Sequence, residues 1–203
     1  MRRFAAGVVA LALLLGVAAC GSSDGDDAGA DDAASTAPAT GAPGTDPLAT
    51  TTTRVAPDEC AEATGLDGAG GAPTDIDLPD VPPTDEVGVT VLEEGEGPEV
   101  TDASYVTVDY LGIACSTGVA FDSSWERGQP ITAALGTAPS TATAFQVIPG
   151  WTDGLVGQRE GALVQLDIPP ALAYGEQGSP PVIDGNEPLT FVIRIEQVSD
   201  TAP

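Results

Sequence analysis

Val147-Ile-Pro-Gly-Trp-Thr-Asp-Gly-Leu155 is the stretch on which the rest of the chain turns. An extended apolar pair runs into Pro-Gly, and a bulky indole follows at once. The segment predicts a short helical turn that plants one large aromatic against an extended neighbour. The other aromatics gather around it: apart from Phe4, every Phe, Tyr and Trp falls between Tyr105 and Phe191. Whatever packs in this chain is built from that half.

Working outward, the flanking segments alternate. In Tyr105-Val-Thr-Val-Asp-Tyr-Leu111, residues Val106, Val108 and Tyr110 share one face, while Thr107 and Asp109 share the other. Ala162 to Ile168 is a second strand, with Ala162, Val164, Leu166 and Ile168 inward and Gln165 and Asp167 on the wet side. Pro169-Pro170 ends it, because proline cannot donate to a ladder. A last strand turns Leu189, Phe191, Ile193 and Ile195 inward, with Thr190, Arg194 and Glu196 outward. Val89 and Val91 open a shorter strand, Ile131 to Leu135 reads as a weak one, and Thr137 to Gln146 reads as a small-residue loop. Many strands, one short helix and long turns predict an α+β fold: a curled antiparallel β-sheet wrapped around one short α-helix.

The N-terminal half reads differently. Residues 1–19 have the form of a lipoprotein signal peptide, with Arg2-Arg3, an apolar run from Val8 to Val17, and small residues before Cys20. Val17-Ala-Ala-Cys20 resembles the bacterial lipobox, which makes Cys20 the expected lipidation site. The apolar run is too short for a comfortable membrane span. Residues 20–57 are an Ala/Gly/Thr/Pro/Asp tether with almost no large apolar side chain, unable to offset the entropy of ordering. As a flexible coil it would span roughly 33 Å. Residues 58–86 read as an extended arm, too poor in apolar residues to form a core alone, and 87–199 as the working domain. The expected location is beyond the cytoplasmic membrane: exported, and lipid-anchored to its outer face.

With Cys20 lipidated, Cys60 and Cys115 remain as an even pair in an oxidising compartment. They are either bridged or two separate thiols. A bridge would close a loop of roughly 56 residues, worth about 4 kcal/mol in the chain-entropy model.

Charge and composition exclude several function classes. Six Arg, no Lys and no His stand against 31 acidic residues, for a net charge of −25. Nucleic acid, which needs a basic surface, is not an expected partner, and membrane contact is expected through the lipid anchor only. So acidic a surface makes a monomer the simpler expectation. Without His there is no Ser-His-Asp or Cys-His arrangement of the usual kind. No glycine-rich loop opens a helix to cradle phosphate, and no ligand cluster suggests a metal. Neither cofactor nor metal is expected.

What remains is an aromatic and aliphatic constellation. Tyr110-Leu-Gly112, Phe121-Asp-Ser-Ser124, Val147-Ile-Pro-Gly-Trp151, Ala173-Tyr-Gly175 and Leu189-Thr-Phe191 occur in one order with compatible spacings. Singly, each is bland: Trp151 and Phe191 would be core, Tyr110 and Tyr174 buried phenols, and Asp122 a turn residue. Together they resemble the FK506-binding protein (FKBP) class of peptidyl-prolyl cis-trans isomerases, over roughly residues 87–199.

The resemblance implies a shallow apolar pocket between sheet and helix. Trp151 would floor it under a substrate proline ring, with Tyr110, Phe121, Val147, Ile148 and Phe191 as walls. Tyr174 and the Ile148 N–H match donors to substrate carbonyls, Asp122 matches the single rim carboxylate, and Ile183 matches an aliphatic lid residue. Tyr110, Asp122, Trp151 and Tyr174 are thus the catalytic set. Ile131 stands where many members carry Phe and Ala133 where another is common, while Thr137 to Gln146 is longer than expected and the loop holding Cys115 is one residue longer. The implied activity is isomerisation of X-Pro bonds in exported, proline-containing polypeptides, assisting their folding. The rivals are a lipid-tethered chaperone or binding module with the same fold but little activity, and a solute-binding lipoprotein, for which the ordered region is short.

Overall fold

A computed structural model describes residues 56–203. The expected signal peptide over 1–19, the expected lipidation site Cys20 and all but the end of the expected tether lie outside the described residues. Seven strands and two short α-helices follow one another: β1 (Gly88–Glu93), β2 (Tyr105–Ala114), β3 (Val119–Ser123), α1 (Ser124–Arg127), β4 (Ile131–Ala134), β5 (Ala144–Gln146), α2 (Pro149–Leu155), β6 (Leu163–Ile168) and β7 (Leu189–Ser199).

They form one sheet in the order β1-β6-β7-β2-β4-β5, with β3 pairing β2. Strand β2 is the spine. Its whole length pairs β7, while on its other edge Tyr105 to Val108 pair β4 and Leu111 to Ala114 pair β3. All pairs are antiparallel except β4 and β5, which run parallel through Thr132–Ala144, Ala133–Phe145 and Ala134–Gln146. The expected loop over 137–146 therefore contains a strand. Only three residues long, β5 carries too few positions to show a period.

Helix α2 packs across the inner face of the sheet. Pro149 sits in its first turn, where a missing N–H costs nothing. Gly150 and Gly154 turn toward β6: a Cβ on Gly154 would meet Leu166 Cδ2 at 2.5 Å, and one on Gly150 would overlap Ile168. This closeness lets Trp151 and Leu155 enter the main core beside Val106, Val108, Leu166, Ile193 and Ile195. Burying a side chain such as Leu155 contributes about 1.5–3 kcal/mol.

The outer face of the sheet differs from expectation. Gln165, expected on the wet side, is buried, and its amide donates to Asp77 O at 2.9 Å. Thr190, also expected outward, is buried and donates to Asp167 Oδ1 at 2.6 Å. The cover is the arm: Ile76 packs with Leu111, Ile113, Leu163 and Val192, flanked by Leu66, Leu78 and Trp125. The arm forms no core by itself, but it closes a second apolar layer that the sheet already offers.

Cys60 and Cys115 are joined by a disulfide. Around it, Ala61 N–H donates to Cys115 O at 2.8 Å and Thr64 N–H to Gly118 O at 2.9 Å. The arm is thereby fastened to the β2–β3 turn.

Candidate active site

A cavity of about 410 Å³ opens between α2 and the curled sheet. Trp151, at 3 % exposure, lies at its base. Two other rings pack against the indole, and a third packs against one of them. Tyr110 meets it edge-on at 5.4 Å and Phe191 at 5.3 Å, while Phe121 stands perpendicular to Phe191 at 5.7 Å. Such edge-to-face pairs are worth about 0.5–1.5 kcal/mol beyond burial, so the walls are self-supporting. Gly112 makes the cluster possible, because a Cβ there would lie 2.6 Å from Phe121 Cζ and 2.9 Å from Phe191 Cε1.

Five of the seven strands contribute to its walls. Tyr110 comes from β2, Phe121 and Asp122 from β3, Ile131 from β4, Phe145 and Gln146 from β5, and Phe191 from β7. Val147 and Ile148 stand just ahead of α2, and Tyr174 closes the rim. Nine of the ten residues expected at the site thus line one cavity. Ile183 does not: it is 4 % exposed and packed into the main core. The reciprocal backbone hydrogen bonds between Ser179 and Ile183 form a tight turn that holds it there.

The polar side of the cavity is a three-membered network. The Tyr110 hydroxyl donates to Asp122 Oδ2 and accepts from Arg127 Nη2 at 2.9 Å, while Arg127 Nη1 also pairs with Asp122 Oδ1. The guanidinium lies 5.5 Å from the Tyr110 ring centre. Burial, reinforced by the bond to the Asp122 carboxylate, pushes the Tyr110 phenol up to about 12. Burial and the same carboxylate also raise the Tyr174 phenol. Both hydroxyls therefore stay protonated, as donors, across the neutral range.

The network is positioned from behind. Ser124 Oγ accepts from Tyr110 N–H at 2.8 Å and donates to Asp109 Oδ1 at 2.7 Å. Ser123 caps α1 by accepting from Glu126 N–H at 3.3 Å. Arg127 was not among the expected site residues. Its sequence signal is the Ser123-Ser-Trp-Glu126 capping pattern, which starts a helix after Asp122 and turns Arg127 back toward it. Phe145 and Gln146 were also missed, because their placement depends on the β4–β5 pairing.

Two residues that line the cavity carry a donor without an internal partner among the described residues. The Tyr174 side chain is 40 % exposed, and its hydroxyl bonds no protein group. Ile148 is the cap residue of α2: its carbonyl accepts from Trp151 N–H at 3.0 Å, while its own N–H donates to nothing. An apolar floor with two free donors above it can hold an apolar ring and fix the carbonyls on either side. The described residues offer no nucleophile–base pair in the cavity and no cluster of His, Cys, Asp or Glu able to hold a metal.

A second cavity, of about 490 Å³, lies between the arm and the region after β6, lined by Pro82, Pro83, Pro170 and Pro188 among others. It holds none of these rings or donors.

Residues 97–196 match the family described as FKBP-type peptidyl-prolyl cis-trans isomerase. The FK506-binding protein of Streptomyces anulatus is 39 % identical over 105 residues, covering 52 % of this chain and 79 % of that protein. The peptidyl-prolyl cis-trans isomerase Mip of Coxiella burnetii is 42 % identical over 108 residues, which are 53 % of this chain but only 43 % of Mip. Among solved structures, FkpA from Escherichia coli is similar with a TM-score of 0.48 at 36 % identity, covering 56 % of this chain and 48 % of that one.

Proposed function

The chain belongs to the FKBP-type peptidyl-prolyl cis-trans isomerase family, and on that premise we propose that it turns X-Pro bonds of exported polypeptides over Trp151, assisting their folding. The carrying observation is the pairing of a dry aromatic floor with two unpartnered donors, the Tyr174 hydroxyl and the Ile148 N–H. An X-Pro amide resists rotation through resonance, with a barrier of about 18–20 kcal/mol, so uncatalysed exchange takes roughly 10–100 s. No bond to carbon need be made or broken. The protein need only bind the twisted amide better than either planar isomer.

Each part of the cavity has a share in this. The apolar floor disfavours the charge-separated resonance form, which is the planar one, and seats the prolyl ring. The Tyr174 hydroxyl and Ile148 N–H hold the flanking carbonyls while the bond turns. Tyr110, Asp122 and Arg127 spend their polar groups on one another and so keep the wall in place, with no proton to transfer. Tyr174→Phe should lower kcat/KM on a short X-Pro peptide about tenfold, the worth of one transition-state hydrogen bond, with the unfolding midpoint nearly unchanged. A Tyr174→Phe enzyme as fast as the parent would remove the hydroxyl from the mechanism. A parent protein that accelerates no X-Pro peptide at saturating concentration would favour the binding-module reading instead.

The exported setting is supported by the signal-like residues 1–19, the lipobox-like Val17 to Cys20 and the tether. A disulfide between the arm and the domain suits an oxidising compartment. Cys20→Ala should move the protein from the membrane pellet to the soluble fraction of the cells that export it. Retention in the pellet would rule out a lipid on Cys20 as the anchor.

A further inference from the structure

We propose that Gly70, on the arm, is a positioning residue for the active site: seated on the Trp125 carbonyl, it holds α1 so that Arg127 stays bonded to Tyr110 and Asp122. This rests on the isomerase reading above and extends the working unit to a segment outside the family-matched residues 97–196.

Helix α1 cannot keep Arg127 in place by itself. It has four residues, about one turn, and an isolated helix that short does not persist in water. Its stability must come from what it packs against. On one side Ser124 Oγ ties it to Tyr110 N–H and to Asp109. The other support is the arm.

There the contact is backbone on backbone. A single 3₁₀ turn, Ala69–Gly71, lies against α1. Its shape is fixed by Ala69 N–H donating to Asp67 Oδ1 at 2.9 Å and Gly71 N–H to Gly68 O at 3.0 Å. Gly70 sits at φ 64°, where glycine is favoured. A Cβ there would overlap Trp125 O and lie 2.8 Å from Trp125 C. That same oxygen accepts from Gly128 N–H at 3.0 Å, the bond that closes α1 directly after Arg127. Pressure on Trp125 O therefore reaches the turn that aims the guanidinium.

The side chains repeat the arrangement. Trp125 and Ala120 pack on the layer that Ile76 covers, while Phe121 and Asp122, next along β3, line the cavity. Arg127 Nη2 reaches the Tyr110 hydroxyl at 2.9 Å, so a retreat of α1 by about 1 Å would break that bond. Asp122 would then pull on the Tyr110 hydroxyl alone and set an unpaired negative charge beside the carbonyls that the site must hold.

The test is a double-mutant cycle on the full-length protein, read as kcat/KM on one X-Pro peptide and as the urea unfolding midpoint. Gly70→Ala should lower kcat/KM about fivefold, an ordinary coupling between neighbours. Gly71→Ala is the control: at φ 95°, with nothing within 4 Å of an added Cβ, it strains the same turn without touching α1 and should leave the rate unchanged. Arg127→Ala should slow the enzyme at least as much as Gly70→Ala does. Adding Gly70→Ala to Arg127→Ala should then cost nothing further in rate, while still lowering the midpoint. If Gly70→Ala does not fold, Trp125→Ala, which empties the side-chain part of the seat, runs the same cycle. If the parent isomerises nothing, the isomerase reading fails. The cycle is then read on the affinity of the labelled peptide, by fluorescence anisotropy, and a loss that depends on Arg127 still assigns Gly70 its positioning role. An unchanged rate or affinity in Gly70→Ala, an equal loss in Gly71→Ala, or the same loss with and without Arg127 overturns the proposal.

Discussion

Trp151→Ala is expected to lower kcat/KM on X-Pro peptides by about a hundredfold and to cost about 3–5 kcal/mol of stability. The two losses share one cause. The indole is at once the base of the cavity and a member of the main core, edge-on to both Tyr110 and Phe191. Removing it opens a void under the substrate site and strips two ring contacts from the walls. A domain of this size has only about 5–15 kcal/mol in hand, so the alanine protein must be assayed well below its unfolding midpoint. Trp151→Leu separates the effects. Leucine refills much of the void and should recover most of the stability, measured by urea unfolding, but it provides no flat floor for a prolyl ring and should stay slow. A leucine protein restored in both properties would mean that the indole is packing alone.

How far the sequence foretold this molecule depends on what a linear pattern can encode. Strands β2, β6 and β7 were legible because one face of each is apolar at every second residue, and those residues occupy the main core. The same alternation misled at Gln165 and Thr190: it reports polarity, whereas burial on the outer face depends on an arm that returns from far upstream. The cavity was legible in nine residues because their motifs keep a common order and spacing. Ile183 is buried outside the cavity lining, and a shared register says nothing about which way a loop side chain turns. Arg127 and Phe145 were missed for a different reason. Arg127 reaches the site by the turn of a four-residue helix, and Phe145 by a three-residue parallel pairing, and neither leaves a periodic trace. The capping pattern Ser123 to Glu126 is the local signal for Arg127, whereas Phe145 becomes visible only when the edge of the sheet is in place.

Replacing both Cys60 and Cys115 by serine should lower stability by about 4 kcal/mol, close to the loss of the whole margin of a weak domain. The bridge spans a sequence separation of 55 residues, so most of this is the chain entropy that an unfolded, unbridged protein regains. A further part comes from the folded side. The bridge ends at the turn where Ala61 and Thr64 bond the β2–β3 connection, and downstream of it Ile76 covers Leu111, Ile113, Leu163 and Val192. Freed at Cys60, the arm can peel from the sheet and expose that layer while the main core stays shut. The two parts can be told apart. Ile76→Ala in the bridged protein weakens the cover but keeps the entropy term, and should cost about 2–4 kcal/mol by lost packing alone. If the cover depends on the bridge, the same substitution in the serine protein should cost clearly less, because an arm already loosened has less packing to lose. Equal costs in the two backgrounds would show that the arm stays seated without the bridge. An unfolding midpoint unmoved by the double serine substitution would remove both contributions.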